Sequence, residues 1–287
     1  MVFRSPLPDV EIPDVSLYDF LLGSLRDDEL DRVAIVDGPT GAATTYGALR
    51  AQVDALAGAL AARGVGPGTV VGLHSPNVPA FAVAFHAILR AGATATTVNA
   101  LATADDVAAQ LAASGAALLL TVSPLLPAAV KGAEVAGLPH SRVIVLDGAP
   151  GHESLRDLLT EQRPAPQVQV LASDLAVLPY SSGTAGRPKG VMLTHRNLVA
   201  NVLQASPYAG VRADDTVLAL LPFFHIYGMT VLLDLALHHR AQLVTMPRFD
   251  LTEFCRIVAE HRITYAPIAP PVAVALAKHP LIDSFDF

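Results

Sequence analysis

The chain has 287 residues, of which 52% are hydrophobic and 16% charged, so it can bury a sizeable core and is too apolar for disorder. A formal net charge of −7, no tryptophan and 6% aromatic residues argue against a nucleic-acid partner, which needs clustered Lys and Arg and rings for base stacking. Cys255 is the single cysteine, which rules out an intrachain disulfide or a cysteine zinc cluster. Much of the apolar content is alanine, which suits closely packed helices. The first residues, Met1-Val-Phe-Arg-Ser-Pro, lack the apolar core of a signal peptide. The most apolar region, Ala112 to Val130, is interrupted by Ser114, Ser123, Pro124 and Pro127 and makes a poor membrane helix. The default expectation is a cytoplasmic chain with no membrane partner.

Asp27, Asp28, Glu29, Asp31 and Arg32 read as a solvated surface. Val33 to Asp37 reads as a strand followed by the turn Gly38-Pro-Thr-Gly41. Thr45 then suits a helix N-cap, and Leu49, Val53, Leu56 and Leu60 share one helix face. Gly64 to Gly68 ends that helix before a strand at Thr69 to Leu73. Pro79 starts a helix running to Arg90, and Gly92 stops it. Thr94 to Val98 is strand-like, and Thr103 caps a helix ending near Gly115. Leu118 to Val122 and Val143 to Leu146 supply two more strands with helix between them.

Such alternation, with strands apolar on both faces, predicts an α/β fold of mostly parallel sheet covered by helices. Asp147 to Gln167 is polar and proline-containing; it either separates two α/β layers or forms a surface loop within one domain. The division expected is an amino-terminal α/β subdomain over residues 1–170 and a second over 171–287. Alternation resumes at Ala176 to Pro179. Cys255 falls in an expected helix, Leu251 to His261, beside Phe254, Ile257 and Val258, as a buried structural thiol.

The most informative stretch is Tyr180-Ser-Ser-Gly-Thr-Ala-Gly-Arg-Pro-Lys-Gly-Val191, which follows an apolar strand and leads to a helix starting near Arg196. Glycines let backbone N–H groups curve around an anion, hydroxyls add donors, and Lys189 adds a mobile positive charge. Pro188 removes one donor and stiffens the turn. The order is not that of the Walker loop, because Lys189 stands three residues after Gly186 and precedes Gly190.

This string resembles the signature of the acyl-adenylate-forming (AMP-dependent synthetase and ligase) superfamily, Ser-Ser-Gly-Thr-Thr-Gly-x-Pro-Lys-Gly. It departs from that pattern only at Ala185, which lacks the family's threonine hydroxyl. The resemblance implies that Ser181, Ser182, Gly183, Thr184, Gly186 and Lys189 bind the phosphates of ATP, with Thr184 near Mg²⁺. Leu220-Leu-Pro-Phe-Phe-His-Ile-Tyr-Gly228 is similar to a Leu-Pro-x-Phe-His-Ile-Tyr segment of 4-coumarate–CoA ligases. It would lie at the carboxyl end of a strand, Thr216 to Leu221, where α/β sheets gather ligands. By resemblance His225 sits beside the acyl carboxylate and Tyr227 lines the acid cavity. Met246-Pro-Arg-Phe249 resembles a Met-Pro-Lys-Phe segment associated with CoA, which makes Arg248 the candidate there. Ala269-Pro-Pro271 and Lys278 also fit the family.

The other histidines are expected to be structural: His195 at the exit of the string, and His238-His239 at a helix end, where positive charge is favoured. Asp234, one turn before His238, finds no third ligand for a metal. Family strings that hold Mg²⁺ and ribose, and the carboxy-terminal domain with its catalytic lysine, have no counterpart here. The resemblance therefore implies the amino-terminal part of an ATP-dependent acid–CoA ligase for aryl or cinnamate-like (phenylpropanoid) acids, inactive alone. The alternatives are a non-catalytic remnant or nucleotide-binding module, and one half of a split ligase. A homo-oligomer or a complementing carboxy-terminal chain remains open as partner.

Overall fold

A computed structural model describes residues 7–181, 188–285 and 287. Strands β1 (Val33–Asp37) and β2 (Ala43–Thr45) precede helix α1 (Tyr46–Ala62). Then follow β3 (Val70–His74), α2 (Pro79–Arg90), β4 (Thr94–Val98), α3 (Ala104–Ser114), β5 (Ala116–Thr121), α4 (Leu126–Val135) and β6 (Val143–Val145). After α5 (Leu155–Thr160) come β7 (Leu175–Val177), β8 (Tyr180–Ser181), β9 (Lys189–Gly190), β10 (Leu193–Thr194) and α6 (His195–Ala209). The remainder holds β11 (Thr216–Ala219), a π-helical stretch at Gly228–Asp234 running into α7 (Leu235–His239), β12 (Gln242–Thr245), α8 (Leu251–Glu260) and α9 (Pro270–Lys278).

The helix ends follow the capping chemistry of the sequence. Thr45 accepts from the Ala48 N–H, and Thr103 and Asp106 each bond the other's backbone N–H. Gly115 ends α3 in the left-handed conformation with φ of 65°, which costs a residue without Cβ little. Helix α6 begins at His195, one residue earlier than expected, because Thr194 is the residue that caps it. The polar segment 147–167 contains a helix, α5, that its composition did not suggest; Ser154 and Asp157 cap it reciprocally.

A six-stranded sheet has the order β10-β7-β4-β3-β5-β6, parallel apart from the β10–β7 pair. Val71 and Leu73 of β3 share a cluster with α1 and α2. Val98 and Leu119 pack with Val107 and Leu111 of α3 and with Ala129 and Ala133 of α4 on the opposite face. That two-sided burial is why β4 has no exposed residue. A second, four-stranded sheet has the order β11-β12-β1-β2, with β1 and β11 parallel to β12. Both sheets thus draw strands from distant parts of the chain. Cys255 is buried with Phe254 and Ile257, a structural thiol as expected.

Several histidines are held as neutral rings, His74 and His195 fully buried, His238 and His239 half-buried. His195 accepts a bond from the Leu17 N–H at Nδ1, 3.1 Å away, which ties the chain's early residues to α6. Burial pushes His74, His195 and His238 down to about 4 from an ordinary 6.5. At His238-His239 this corrects the expectation of favourable helix-end charge. Burial favours the neutral form of both; His238 stacks on Phe20, and His239 Nε2 lies 2.7 Å from the Ser206 hydroxyl. Asp234 turns out to face His86, 3.3 Å away, with both side chains fully buried.

These neutral rings set a pH dependence. In the unfolded chain they take up protons near 6.5, whereas folded they do so only near 4. Their contribution to stability is complete above that range and is lost as pH falls through it. Urea unfolding at about pH 7 and about pH 5 should show the protein weaker at the lower value. His195→Asn, which keeps an acceptor for the Leu17 N–H but cannot titrate, should make that decline shallower.

Candidate functional site

Strand β7 hands the chain directly to the glycine-rich segment. Its ends form an antiparallel pair, β8 with β9, in which Tyr180 opposes Gly190 and Ser181 opposes Lys189. Gly190 allows a close approach, since a Cβ there would stand 3.2 Å from the Tyr180 ring and the ring would have to give way slightly. Ser181 and Lys189 are both exposed. Ser182, Gly183, Thr184 and Gly186 lie outside the described residues.

The segment with His225 begins at the carboxyl end of β11, which stops at Ala219, earlier than the sequence suggested. Phe223 is fully buried and packs against Phe81 of α2, with ring centroids 5.5 Å apart. His225, two residues on, is exposed, and its Nδ1 accepts from the Tyr227 N–H at 3.2 Å. A nitrogen that accepts carries no proton, so the neutral ring holds its N–H at Nε2, free to donate. Tyr227 is 46% exposed. It lies close enough to Tyr265 to reinforce the burial that pushes that phenol's pKa up.

Several other segments end on the same side. Arg248 is exposed just beyond β12, whose Thr245 is level with Ala219 of β11. Tyr265 continues the sheet beyond β11 through a parallel bridge to Val217. The chain then runs on to Ala269, Pro270 and Pro271 at the start of α9.

One strand end connects the two motifs. Thr96 of β4 donates its hydroxyl to the Leu178 carbonyl at 2.9 Å, just before β8. Thr97, its neighbour, donates to the Phe224 carbonyl at 2.8 Å, just before His225. Gln110 of α3 braces both, bonding Thr96 Oγ1 at 2.9 Å and the Thr97 carbonyl at 3.1 Å. Ser181, which pairs with Lys189, and His225 thus follow shortly after backbone carbonyls anchored on adjacent residues of β4. Sequence reasoning passed over Thr96, Thr97 and Gln110. The only signal was a run of polar β-branched residues in a strand that is otherwise wholly buried.

The model of the family described as "AMP-binding enzyme" matches residues 25–286. The chain belongs to that family. It is 41% identical over 293 residues to a protein named 4-coumarate–CoA ligase 5 from Oryza sativa subsp. japonica, covering 99% of this chain and 53% of that protein. It is 36% identical to 4-coumarate–CoA ligase 3 of the same species, covering 52% of it. The chain therefore spans about half the length of the curated relatives it matches. Among solved structures, the amino-terminal domain of FACL13 from Mycobacterium tuberculosis superposes with a TM-score of 0.84 at 26% identity, covering 95% of this chain and 67% of that one. A long-chain-fatty-acid–CoA ligase from Archaeoglobus fulgidus gives 0.86 at 25% identity, covering 96% and 55%.

Within this member of the AMP-binding family, no group of three or more His, Cys, Asp or Glu among the described residues is placed to hold a metal. Among those same residues no helix is long and apolar enough to cross a membrane. Gly228 sets the geometry of the His225 turn, because a Cβ at that position would press into the Pro222 carbonyl. Alanine in place of a helical glycine usually stabilises by about 0.5–1 kcal/mol. Here the clash should win, with overpacking costing about 1–3 kcal/mol. Gly228→Ala should therefore lower the urea midpoint of the chain, where an ordinary helical Gly→Ala change would raise it.

Proposed function

We propose that this chain supplies the ATP- and acid-binding part of an AMP-forming acid–CoA ligase acting on aryl or cinnamate-like acids. The observation that carries this reading is the pair of consecutive hydroxyls, Thr96 and Thr97, gripping the segment before Ser181 and the segment before His225. That arrangement suits a reaction in which a phosphate chain and a carboxylate must meet. The cinnamate-like class is supported by the Phe-His-Ile-Tyr segment and by the two relatives named 4-coumarate–CoA ligase.

In this reading Ser181, Ser182, Gly183, Thr184, Gly186 and Lys189 hold the β- and γ-phosphates of ATP. The pairing of Ser181 with Lys189 fits a polyphosphate, because it sets a hydroxyl donor opposite an ammonium-bearing residue on exposed backbone. Thr184 would contribute to holding Mg²⁺, which when bound would neutralise phosphate charge. The Nε2–H of His225 orients one oxygen of the acid, and Tyr227 lines the cavity. A carboxylate oxygen forms a bond to the α-phosphorus while the bond to the bridging oxygen breaks, and pyrophosphate leaves with the electron pair. No proton has to move, since the acid is already ionised near neutral pH. Lys189 offsets the charge growing on the departing group. A CoA thiol, with Arg248 near its phosphates, then attacks the acyl carbon as its proton passes to water; the C–S bond forms, the bond to the AMP oxygen breaks, and AMP leaves with the electron pair.

Because the chain spans about half of its curated relatives, the 287 residues alone are not expected to turn over. Hydroxamate trapping with 4-coumarate and ATP should give no product above background. A rate like that of an intact ligase would refute this. Binding is the more direct test. Lys189→Ala removes a charge-assisted contact of about 1.5–3 kcal/mol and should weaken ATP by about tenfold to a hundredfold in calorimetric titration. His225→Ala should leave ATP affinity unchanged and weaken 4-coumarate. Equal ATP binding by the Lys189→Ala protein would leave only a non-catalytic remnant.

A further inference from the structure

The turn that presents His225 is held from outside by one buried amide. Asn77 lies in the connection between β3 and α2, remote in sequence from the turn, and is 2% exposed. Both protons of its Nδ2 are used, one on the Ala219 carbonyl and one on the Leu221 carbonyl, each at 2.8 Å. Its Oδ1 accepts from the Phe223 N–H, also at 2.8 Å. One side chain thus satisfies three backbone groups over five residues, from the last residue of β11 into a segment that is not yet helix. Without it, the Phe223 N–H and the Leu221 carbonyl would be buried beside an apolar helix.

We infer that Asn77 is a positioning residue for acid recognition, acting through the backbone of residues 219–223 on the direction in which His225 presents its Nε2–H. This rests on the proposed role of His225. Three features fit positioning better than general packing. Asn77 touches no other segment through its side chain among the described bonds. Its bonds stop two residues before His225. Thr97 takes over at the next residue, Phe224, so a side chain from the loop after β3 and one from β4 fix backbone groups of consecutive residues. No other residue type of this size offers two donors and one acceptor in one plane; aspartate would set a carboxylate against two carbonyl oxygens.

The test compares Asn77→Ala and Thr97→Val with the unaltered 287-residue chain by three readouts. Amide hydrogen exchange at Phe223 should accelerate at least about tenfold in Asn77→Ala, beyond any change at core amides of β3 and β5. The ring resonances of His225 should shift in both variants, and titrated 4-coumarate should bind at least about fivefold more weakly while ATP binds as before. Thr97→Val, which removes one hydroxyl from a side chain of nearly the same shape, should give the smaller effects; if Asn77→Ala does not fold, Asn77→Ser, which stays polar but is too short to reach all three backbone groups, is read by the same measurements and decides the matter. Exchange rising equally at all amides, or His225 resonances unmoved in a folded variant, would reduce Asn77 to a structural residue and overturn the inference. If 4-coumarate does not bind the unaltered chain at all, the proposed acid site fails, while the exchange and resonance readouts still judge the positioning.

Discussion

Two hydroxyls one residue apart, on Thr96 and Thr97, hold together what the rest of the molecule prepares separately. In a strand, consecutive side chains point to opposite sides, so neighbouring residues can grip two different segments. β4 is buried from end to end, which makes it a rigid place from which to do so. The six-stranded sheet leads through β7 toward the glycine-rich segment, and the four-stranded sheet leads through β11 toward His225. The junction between them is hydrogen-bonded backbone in an apolar setting, where each bond left unmade would cost about 1–3 kcal/mol.

Much of this was legible in the residues. Thr45, Pro79 and Thr103 marked helix starts, and Gly115 a helix end, by chemistry that acts locally and is therefore visible locally. The parallel α/β character followed from runs such as Val70–His74 and Ala116–Thr121, which have no polar alternation to spare for solvent. The glycine-rich string and the Phe-His-Ile-Tyr segment pointed to the family whose model matches the chain. What escaped was the hardware between motifs. Asn77 and Gln110 carry no local signature, because their partners lie far away in sequence. The short helix α5 was hidden in a polar stretch, since its capping pair, Ser154 and Asp157, looks like loop composition until paired.

The histidines taught a different lesson. A helix-end position suggested charge at His238 and His239, but burial decided against it, because desolvation outweighs the attraction of a helix terminus worth about 0.3–1 kcal/mol. Asp234 likewise looked to His238 in sequence and found His86 in space. Proximity along a helix is a weak guide once a neighbouring helix offers a closer partner.

The pairing of β1 with β12 has a consequence for how the molecule comes into being. Ile35 finds Leu243 only after more than two hundred intervening residues have been made. The six-stranded sheet, by contrast, has all its strands by Thr194. On a ribosome the larger sheet can therefore close first, while the Val33–Asp37 ribbon waits with its outer backbone unsatisfied. Slow, long-range closure of this kind leaves a sticky edge available to neighbours, so synthesis rate and chaperone capture, more than equilibrium stability, should govern the yield of native molecules.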